Sequence, residues 1–427
     1  MVQHEWQAAA MTITPLNGAD GTMQTVSHVR SRSPWSWPQA GAQAVPREIV
    51  GMGRRSSSSH KPLPPRSKSA EEPTMSEEDL LERFDGGGDS HSQVETHEVA
   101  CTLKQYWGIR GSLRSLVAER DEILEVTTDD NRRYVLKIYG ASESPSLADL
   151  RARACVHIAE SDPALPVPEI IRTDGALQAV ATMKAGEDRV VQLMTFLDGI
   201  PQVSTLKSSR QAFEIGKALA RTARALCHFE HPADRRNLVW DLANAANVRP
   251  LLPAISSGRW QMPHRILQRF EDRTLSMLSD LPLQVIHNDF NGHNLLMDPS
   301  DPTRITGIID FGDVTRSQRI NDVAIAACYQ LRFDESGLSG ALDVARGYNS
   351  VTTLNPHEIA ILPDLILTRL AMAVAITEFR ATRLPERASQ ILKNTGYAWR
   401  ALSHLTDLDK NWAVDRFFAA CDKETSS

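Results

Sequence analysis

In the stretch "VIHNDFNGHNLLMD" at 285–298, two apolar residues are followed by hydrogen-bonding side chains at 287–289, and two more such side chains follow at His293 and Asn294. A metal site, a turn and a catalytic loop each produce such a stretch. A metal site is disfavoured, because histidines six positions apart match neither the i, i+4 pair of a helix nor a finger spacing, and no cysteine is close by. The turn and the catalytic loop stay open on this stretch alone.

Two further polar residues favour the catalytic loop. Asn294 lies five positions after Asp289, and Asp310 lies twenty-one positions after it, at the end of "ITGIID". The order of loop, strand, turn and strand predicts a hairpin that brings Asn294 and Asp310 together, with Asp289 nearby. An amide and a carboxylate oxygen suit Mg²⁺, and a separate carboxylate suits the orientation of an attacking hydroxyl. H-x-D-x-x-x-x-N followed by D-F-G is the kinase catalytic-loop pattern.

A cation for nucleotide phosphates is expected upstream of this pattern. Lys137 in "RYVLKIY" stands in the middle of an apolar strand. One solvent-facing position on an alternating strand explains such a lysine by itself. The kinase pattern downstream makes phosphate binding the favoured interpretation.

The region from about 100 to 420 resembles the aminoglycoside phosphotransferase / choline kinase superfamily of small-molecule kinases. Within it, "ERDEILEVTTDDNRRYVLKIY" and "HNDFNGHNLLMD" with "IIDFGDVTRSQRINDVAIA" are most similar to hydroxylysine kinases and to kinase modules fused to class III aminotransferases. The resemblance implies an α+β, two-lobed, protein-kinase-like fold, with a small antiparallel-sheet N-lobe and a larger helical C-lobe. It also implies ATP or GTP as phosphate donor and Mg²⁺ as cofactor.

The resemblance also implies roles for individual residues. Asp289 would be the catalytic base, Asn294 and Asp310 would hold Mg²⁺, and Lys137 would contact the α- and β-phosphates. In "LMTFLDG", backbone groups of Thr195 and Leu197 would meet the nucleobase. Asp322 in "INDVAIA" would brace the catalytic loop, although an ordinary acidic residue at a helix N-terminus explains it equally well.

The sequence departs from the superfamily pattern in the N-lobe. Gly108 and Gly111 precede the first strand, so we interpret them as a turn, while the nucleotide loop corresponds to "VAERDE", which has no glycine. On the following helix, Arg151 and Arg153 stand about where Gln or Glu is expected as the partner of Lys137. Asp149 or Glu160 would then have to replace that partner.

Three functions compete. The leading one is a kinase for a hydroxyl of a small amine or amino acid, with 5-hydroxy-L-lysine favoured over ethanolamine, homoserine or an aminoglycoside. A regulatory nucleotide-binding pseudokinase is the alternative, favoured by the missing acidic partner. A protein kinase is third, because no A-P-E motif follows Asp310.

Substrate-binding groups are the least constrained part of the prediction. An amino acid needs carboxylates for its ammonium groups and a basic residue for its carboxylate. The candidates are Asp313, Arg316, Arg319, Arg369 and Glu378, each of which also fits a surface charge or a structural ion pair. A choline-type aromatic cage is disfavoured at 6% aromatic residues.

Composition excludes some classes of protein. The net charge of -6 disfavours a nucleic-acid partner. The longest apolar candidate for a membrane span, "ILPDLILTRLAMAVAITEF", contains Asp364 and Arg369 and is therefore predicted to be a buried helix. Five widely spaced cysteines without a C-x-x-C pair predict reduced thiols and a cytoplasmic protein.

The elements that must position these residues follow from periodicity. "EILEVTT" and "RRYVLKIYG" predict one hairpin, and "PEIIRT" and "ALQAVATM" around Asp174-Gly175 predict a second. "RVVQLMTFL", "QVIHND" and "ITGIIDFGD" predict strands, and "SLADLRARACVHIAE" predicts a helix. In "RQAFEIGKALARTARALCHF" one helical face collects apolar and small residues, namely Ala212, Phe213, Gly216, Leu219, Ala220, Ala223, Leu226 and Cys227.

We therefore predict a disordered extension and linker at 1–95, a nucleotide-binding lobe at 96–196 and a catalytic and substrate lobe at 197–427. The extension is rich in Pro, Ser and Arg without an apolar face, so it cannot offset the entropy of ordering. Translation from Met75 is an alternative explanation for this segment.

Overall fold

The computed structural model of the protein describes residues 94–116, 121–183, 186–255, 258–334 and 337–422. The described residues belong to one compact unit. The predicted extension, up to residue 93, and the first four residues of "VAERDE" lie outside the described residues. The domain boundaries stay predictions.

The chain begins its sheet lobe with three antiparallel strands, β1 (Ser112–Leu116), β2 (Glu122–Thr127) and β3 (Arg133–Ile138). The predicted first hairpin is confirmed, because β2 and β3 pair along their whole length from Glu122 opposite Ile138 to Thr127 opposite Arg133. One face of this sheet is sealed by an apolar cluster that includes Val126 and Leu136.

The second predicted hairpin forms its turn but not its strand pair. Asp174 and Gly175 have positive φ, and Thr173 bridges to Ala176. The flanking strands are β4 (Ile170–Ile171) and β5 (Ala179–Thr182), and both pair with β6 (Asp188–Thr195) instead of with each other. The prediction was wrong because β6, a long apolar strand, offers backbone partners to both segments, giving the sheet order β1-β2-β3-β6-β4 with β5 also on β6.

Two helices accompany this sheet. α1 (Thr96–Trp107) precedes β1 and was not predicted; it ends at Gly108, whose φ of 66° is the left-handed conformation of a helix C-cap. The predicted helix is α2 (Pro145–Ser161). The buried side chains of α2 belong to the large core shared with the helical lobe, and its Ala148 carbonyl accepts a hydrogen bond from Gln192 of β6. α2 therefore joins the sheet to the helical lobe.

From Ser209 onward the chain is mainly helical, as predicted. The helices are α3 (Ser209–Ala225), α4 (Gln261–Arg269), α5 (Leu275–Ser279), α6 (Arg319–Gln330), α7 (Ser339–Val351), α8 (Pro356–Arg383), α9 (Ala388–Ile391), α10 (Thr395–Leu405) and α11 (Lys410–Cys421). A long 3-10 segment, Leu242–Ala254, connects α3 to α4. The five cysteines are unpaired, as predicted.

The apolar face of α3 packs against α7 through two glycines. A Cβ on Gly216 would lie 2.1 Å from the Val344 carbonyl oxygen, and a Cβ on Gly347 would lie 2.0 Å from the Phe213 carbonyl oxygen. The backbones of the two helices therefore meet where any side chain would clash. The predicted face is otherwise buried, except that Phe213 is half-buried and Cys227, which lies beyond the end of the helix, is exposed.

The apolar stretch predicted to be a buried helix is α8. By length and composition it could cross a bilayer, but 89% of its most apolar window is buried inside the fold. It begins at a capping box in which the Asn355 side chain accepts from Glu358 N–H and Glu358 accepts from Asn355 N–H. α8 is thus a core helix that carries Arg369 into the centre of the lobe.

Five short strands hold the polar residues of interest, and they form two small antiparallel sheets. One sheet pairs β7 (Ile200–Pro201), β9 (Leu295–Met297) and β10 (Ile305–Ile308), so the hairpin predicted between Asn294 and Asp310 is confirmed. The other pairs β8 (Leu283–Ile286) with β11 (Thr315–Gln318).

Candidate active site

The predicted catalytic loop starts at the end of β8. Asn288 adopts a left-handed conformation with φ of 64°, which asparagine tolerates better than most residues. The His287 Nε2–H donates to the Ile309 carbonyl at 3.2 Å, and its Nδ1 accepts the Asp289 N–H at 3.3 Å. The Nε2 contact therefore ties the loop to the segment that precedes Asp310, and the Nδ1 contact stabilises the loop itself.

Asp322, in the first turn of α6, holds the start of the loop. Its two carboxylate oxygens accept the backbone N–H groups of His287 at 2.9 Å and Asn288 at 2.7 Å. Burial raises the pKa of Asp322 to about 6. A role of Asp322 in bracing the loop explains these contacts. An acidic residue that only complemented the helix N-terminus would not need to make them.

Asn294 and Asp289 are in direct contact. The Asn294 Nδ2 donates to the Asp289 carboxylate at 2.7 Å and to the Asp289 carbonyl at 2.9 Å. Both partners only accept, so the amide nitrogen is turned toward Asp289 and the side-chain oxygen of Asn294 faces away from it. The backbone carbonyl of Asn294 also accepts a hydrogen bond from the Ile309 N–H at 3.0 Å.

Ile309, the residue that precedes Asp310, is therefore hydrogen-bonded to both His287 and Asn294. Asp310 has φ of 60°, and its Oδ1 accepts the Gly312 N–H at 3.1 Å, capping a single 3-10 turn over Phe311–Asp313. The structure thus brings Asp289, Asn294 and Asp310 together, as the sequence predicted.

Burial raises the pKa of Asp289, and the nearby carboxylates of Asp313 and Asp310 raise it further. Arg369 acts in the opposite direction, because its Nη2 lies 3.5 Å from Asp289 Oδ1. Arg369 is 1% exposed, donates to the Trp240 carbonyl and stacks 5.0 Å above the Trp240 ring. Arg369 therefore forms a structural ion pair with Asp289 inside the site, and only the tertiary structure could reveal this pairing.

Lys137 has a different acidic partner from those predicted. Its Nζ lies 2.8 Å from Asp121 Oδ2, at the end of the segment between β1 and β2. Burial disfavours the charged ammonium, but Asp121, Tyr139 and Asp310 together outweigh burial and raise the pKa of Lys137 above its usual value. Asp149 instead contacts Arg153 and His231, and Glu160 is exposed. The missing acid that favoured a pseudokinase is therefore present.

Lys137 lines one pocket together with the predicted nucleobase residues. Thr195, Leu197 and Asp310 all form part of its wall. The remaining lining residues include Ile123, Val135, Tyr139, Arg151, Ile170, Met194, Leu296 and Ile309. Mostly apolar walls with a few charged groups suit a small polar ligand such as a nucleotide.

Three of the predicted substrate-binding candidates are engaged in other contacts. Arg316 pairs with Asp234 at 2.7 Å, and Arg319 pairs with Glu358 at 2.7 Å. Glu378 accepts the Trp399 indole N–H at 3.1 Å. The sequence did not separate these residues from Asp313 and Arg369, because alternative ion-pair partners lie far away in the chain.

A small antiparallel sheet, a larger helical lobe and this group of polar residues between β8, β9 and β10 are the features of a kinase-like phosphotransferase. A sequence profile of the phosphotransferase enzyme family matches residues 120–359. The match spans more than half of the chain, so the chain belongs to that family and is a small-molecule kinase within it.

Curated relatives cover most of the chain. A hydroxylysine kinase from Mus musculus is 25% identical over 309 residues, which are 68% of this chain and 82% of the relative. A hydroxylysine kinase from Danio rerio is 24% identical over 346 residues, which are 78% of this chain and 96% of the relative.

Solved structures share the fold. An amicoumacin kinase in complex with AMP-PNP, Ca²⁺ and Ami has a TM-score of 0.56 at 14% identity and covers 79% of this chain and 99% of its own. A microcompartment-associated aminopropanol kinase has a TM-score of 0.53 at 18% identity and covers 76% and 98%. The predicted fold class is confirmed.

Proposed function

We propose that this protein transfers the γ-phosphate of ATP or GTP to the hydroxyl of a small amine or amino acid, with 5-hydroxy-L-lysine as the best candidate. The observation that carries the proposal is the contact between Asp289 and Asn294 at the end of the hairpin that leads into Asp310. The similarity to hydroxylysine kinases of two vertebrates supports the choice of substrate. The unpaired cysteines support a cytoplasmic location.

In this proposal Asp289 orients the acceptor hydroxyl and accepts its proton. Its raised pKa makes it a better proton acceptor than an ordinary carboxylate. Arg369 and Asn294 hold the two carboxylate oxygens from different directions, at 3.5 Å and 2.7 Å. The base is therefore oriented before the substrate arrives, which is the main contribution a protein makes to phosphoryl transfer.

The residues around Asp310 fit Mg²⁺. A neutral amide oxygen from Asn294 and the carboxylate of Asp310 leave the remaining coordination positions for water and phosphate oxygens, as Mg²⁺ prefers. The ion would neutralise charge on the transferred phosphoryl group. Lys137 would contact the α- and β-phosphates, and Thr195 and Leu197 would meet the nucleobase from the pocket wall.

Replacing Asp310 tests the metal assignment. In Asp310→Ala we expect the Mg²⁺-dependent part of ATP affinity to disappear, together with turnover, because one of two protein ligands is gone. Titration of ATP binding by calorimetry at several Mg²⁺ concentrations measures this. Asp301→Ala, which alters an exposed turn, should retain the wild-type Mg²⁺ dependence. If Asp310→Ala also retains it, Asp310 is not a metal ligand.

The acidic groups at the site predict a preference between substrates. Asp313 lies close enough to raise the pKa of Asp289. 5-Hydroxylysine carries a second ammonium group that can pair with Asp313, whereas ethanolamine carries only one ammonium group. A charge-assisted hydrogen bond contributes about 1.5–3 kcal/mol, so kcat/KM for 5-hydroxylysine should exceed that for ethanolamine by at least ~10-fold.

The assay compares phosphorylation of 5-hydroxylysine, ethanolamine and lysine with ATP and then with GTP. Lysine is the matched control, since it lacks only the hydroxyl and should give no product. Equal or reversed kcat/KM values for the first two would remove hydroxylysine as the substrate and leave the kinase function in place.

A further inference from the structure

A second cation, Arg151 of α2, points into the nucleotide pocket. It lines the same pocket as Lys137, Asp310 and Gly312. Its side chain is 12% exposed, so it belongs to the pocket wall and not to the outer surface. The family resemblance led us to expect Gln or Glu at about this position, to orient Lys137. That orienting role belongs here to Asp121.

Arg151 and Lys137 share one aromatic ring. The Lys137 Nζ lies 4.6 Å from the centroid of the Tyr139 ring, and the Arg151 Cζ lies 5.4 Å from it. Tyr139 is 1% exposed and its hydroxyl donates to Gln192 at 2.6 Å, so the ring is fixed. Two like charges held on one rigid support repel each other, and a polyanion between them relieves that repulsion.

Each cation is held in position by its own ion pair. Lys137 pairs with Asp121 at 2.8 Å, and Arg151 pairs with Glu143 at 3.1 Å. The Arg151 Nε also donates to the Gly312 carbonyl at 3.3 Å, immediately beyond Asp310. A guanidinium carries five N–H donors, and these two contacts leave others for a ligand. The fork is therefore anchored next to the place where Asp310 would meet the metal and the phosphates.

We propose that Arg151 is a second phosphate-binding residue of the nucleotide site and contacts the triphosphate beside Lys137. The inference rests on the proposed kinase function. It gives α2 a direct role in binding the nucleotide, because the helix supplies a donor fork where the family pattern has a residue that only orients the lysine.

The test is the binding of ATP, ADP and AMP, each with Mg²⁺, to wild type and Arg151→Met by calorimetry. A lost charge-assisted contact to the phosphates should weaken ATP binding about 10- to 100-fold, ADP binding less, and AMP binding by less than about threefold. Arg151→Lys should lie between wild type and Arg151→Met, because an ammonium keeps the charge but not the fork.

Two controls separate phosphate binding from a structural role. Arg153→Met alters the same helix at an exposed position and should leave all three affinities unchanged. Arg236→Met removes the other guanidinium that donates to the Gly312 carbonyl, at 2.6 Å, and reports what loosening this carbonyl does by itself. Equal losses for all three nucleotides in Arg151→Met, matching those in Arg236→Met, would overturn the proposal.

Other outcomes are also decisive. If thermal unfolding shows that Arg151→Met is not folded, Arg151→Gln provides the same comparison with a side chain that still donates hydrogen bonds. Unchanged ATP affinity in a folded Arg151 variant overturns the role of Arg151 alone. A wild-type protein that binds neither these three nucleotides nor GTP overturns the proposed kinase function as well.

Discussion

Asp289→Asn should lower kcat by roughly 10²–10⁴ while leaving ATP affinity within about threefold of wild type. The substitution keeps the shape of the side chain, and the amide oxygen can still accept the hydrogen bond from Asn294 that is 2.7 Å long in the wild type. What is lost is the proton acceptor, so the defect should appear in kcat and not in nucleotide binding.

The same substitution has a structural cost that must be measured first. Arg369 is fully buried, and Asp289 is the carboxylate within 4 Å of its guanidinium among the described residues. Neutralising Asp289 removes this ion pair, so thermal unfolding of the variant should be measured and the kinetic assay should run well below its melting temperature. Asp301→Asn, in an exposed turn, is the control for activity and stability. An Asp289→Asn protein with most of its activity would contradict the assignment of the base.

Asp322→Ala should reduce turnover by at least ~10²-fold although Asp322 is not placed against substrate or nucleotide. Its two oxygens hold the His287 and Asn288 N–H groups, so its loss leaves two buried donors without an acceptor and frees the loop that carries Asp289. The free energy of unfolding should fall by about 1–3 kcal/mol. If Asp322 only complemented a helix N-terminus, the loss would be about 0.3–1 kcal/mol with little change in kcat.

Asp298→Ala is a matched control, because Asp298 also accepts two backbone N–H groups, those of Ser300 and Asp301, but away from the loop. It should change stability and leave kcat near wild type. The pH dependence adds a second readout. The pKa of Asp322 is raised to about 6, so the proton-linked part of its contribution to stability is complete below the unfolded pKa near 4 and is lost as pH rises through 6. The stability difference between wild type and Asp322→Ala should therefore narrow over that range.

Elements with a local signal were predictable. β2 and β3 alternate apolar and polar residues, and β9 and β10 flank a turn, so their pairing follows from neighbouring residues. α8 was identified as buried because two charges interrupt its apolar run. The second hairpin failed, although its turn was correct, because the pairing of β4 and β5 is decided by β6, which neither segment specifies.

The predicted site also has a part that local spacing predicts and a part that it does not. Asp289, Asn294 and Asp310 lie within one loop and one hairpin, and the residue types and spacing between 287 and 312 were enough to predict their meeting. Their individual roles stay predictions. The predicted partner of Lys137 was wrong because the resemblance placed that partner on the following helix, whereas Asp121 directly precedes β2, the strand that pairs with the strand of Lys137.

The sequence by itself determined the succession of a sheet lobe and a helical lobe and the loop that carries the candidate base, since these depend on periodicity and short-range spacing, and the resemblance of its motifs indicated the class of fold. Only the tertiary structure decided which charges face one another: Arg369 at Asp289, Asp121 at Lys137, and Arg151 beside Lys137. The reason is physical. An ion pair forms between groups that folding brings within about 4 Å, and the low-dielectric interior makes that contact strong, yet either group alone looks like any other charged residue in the chain.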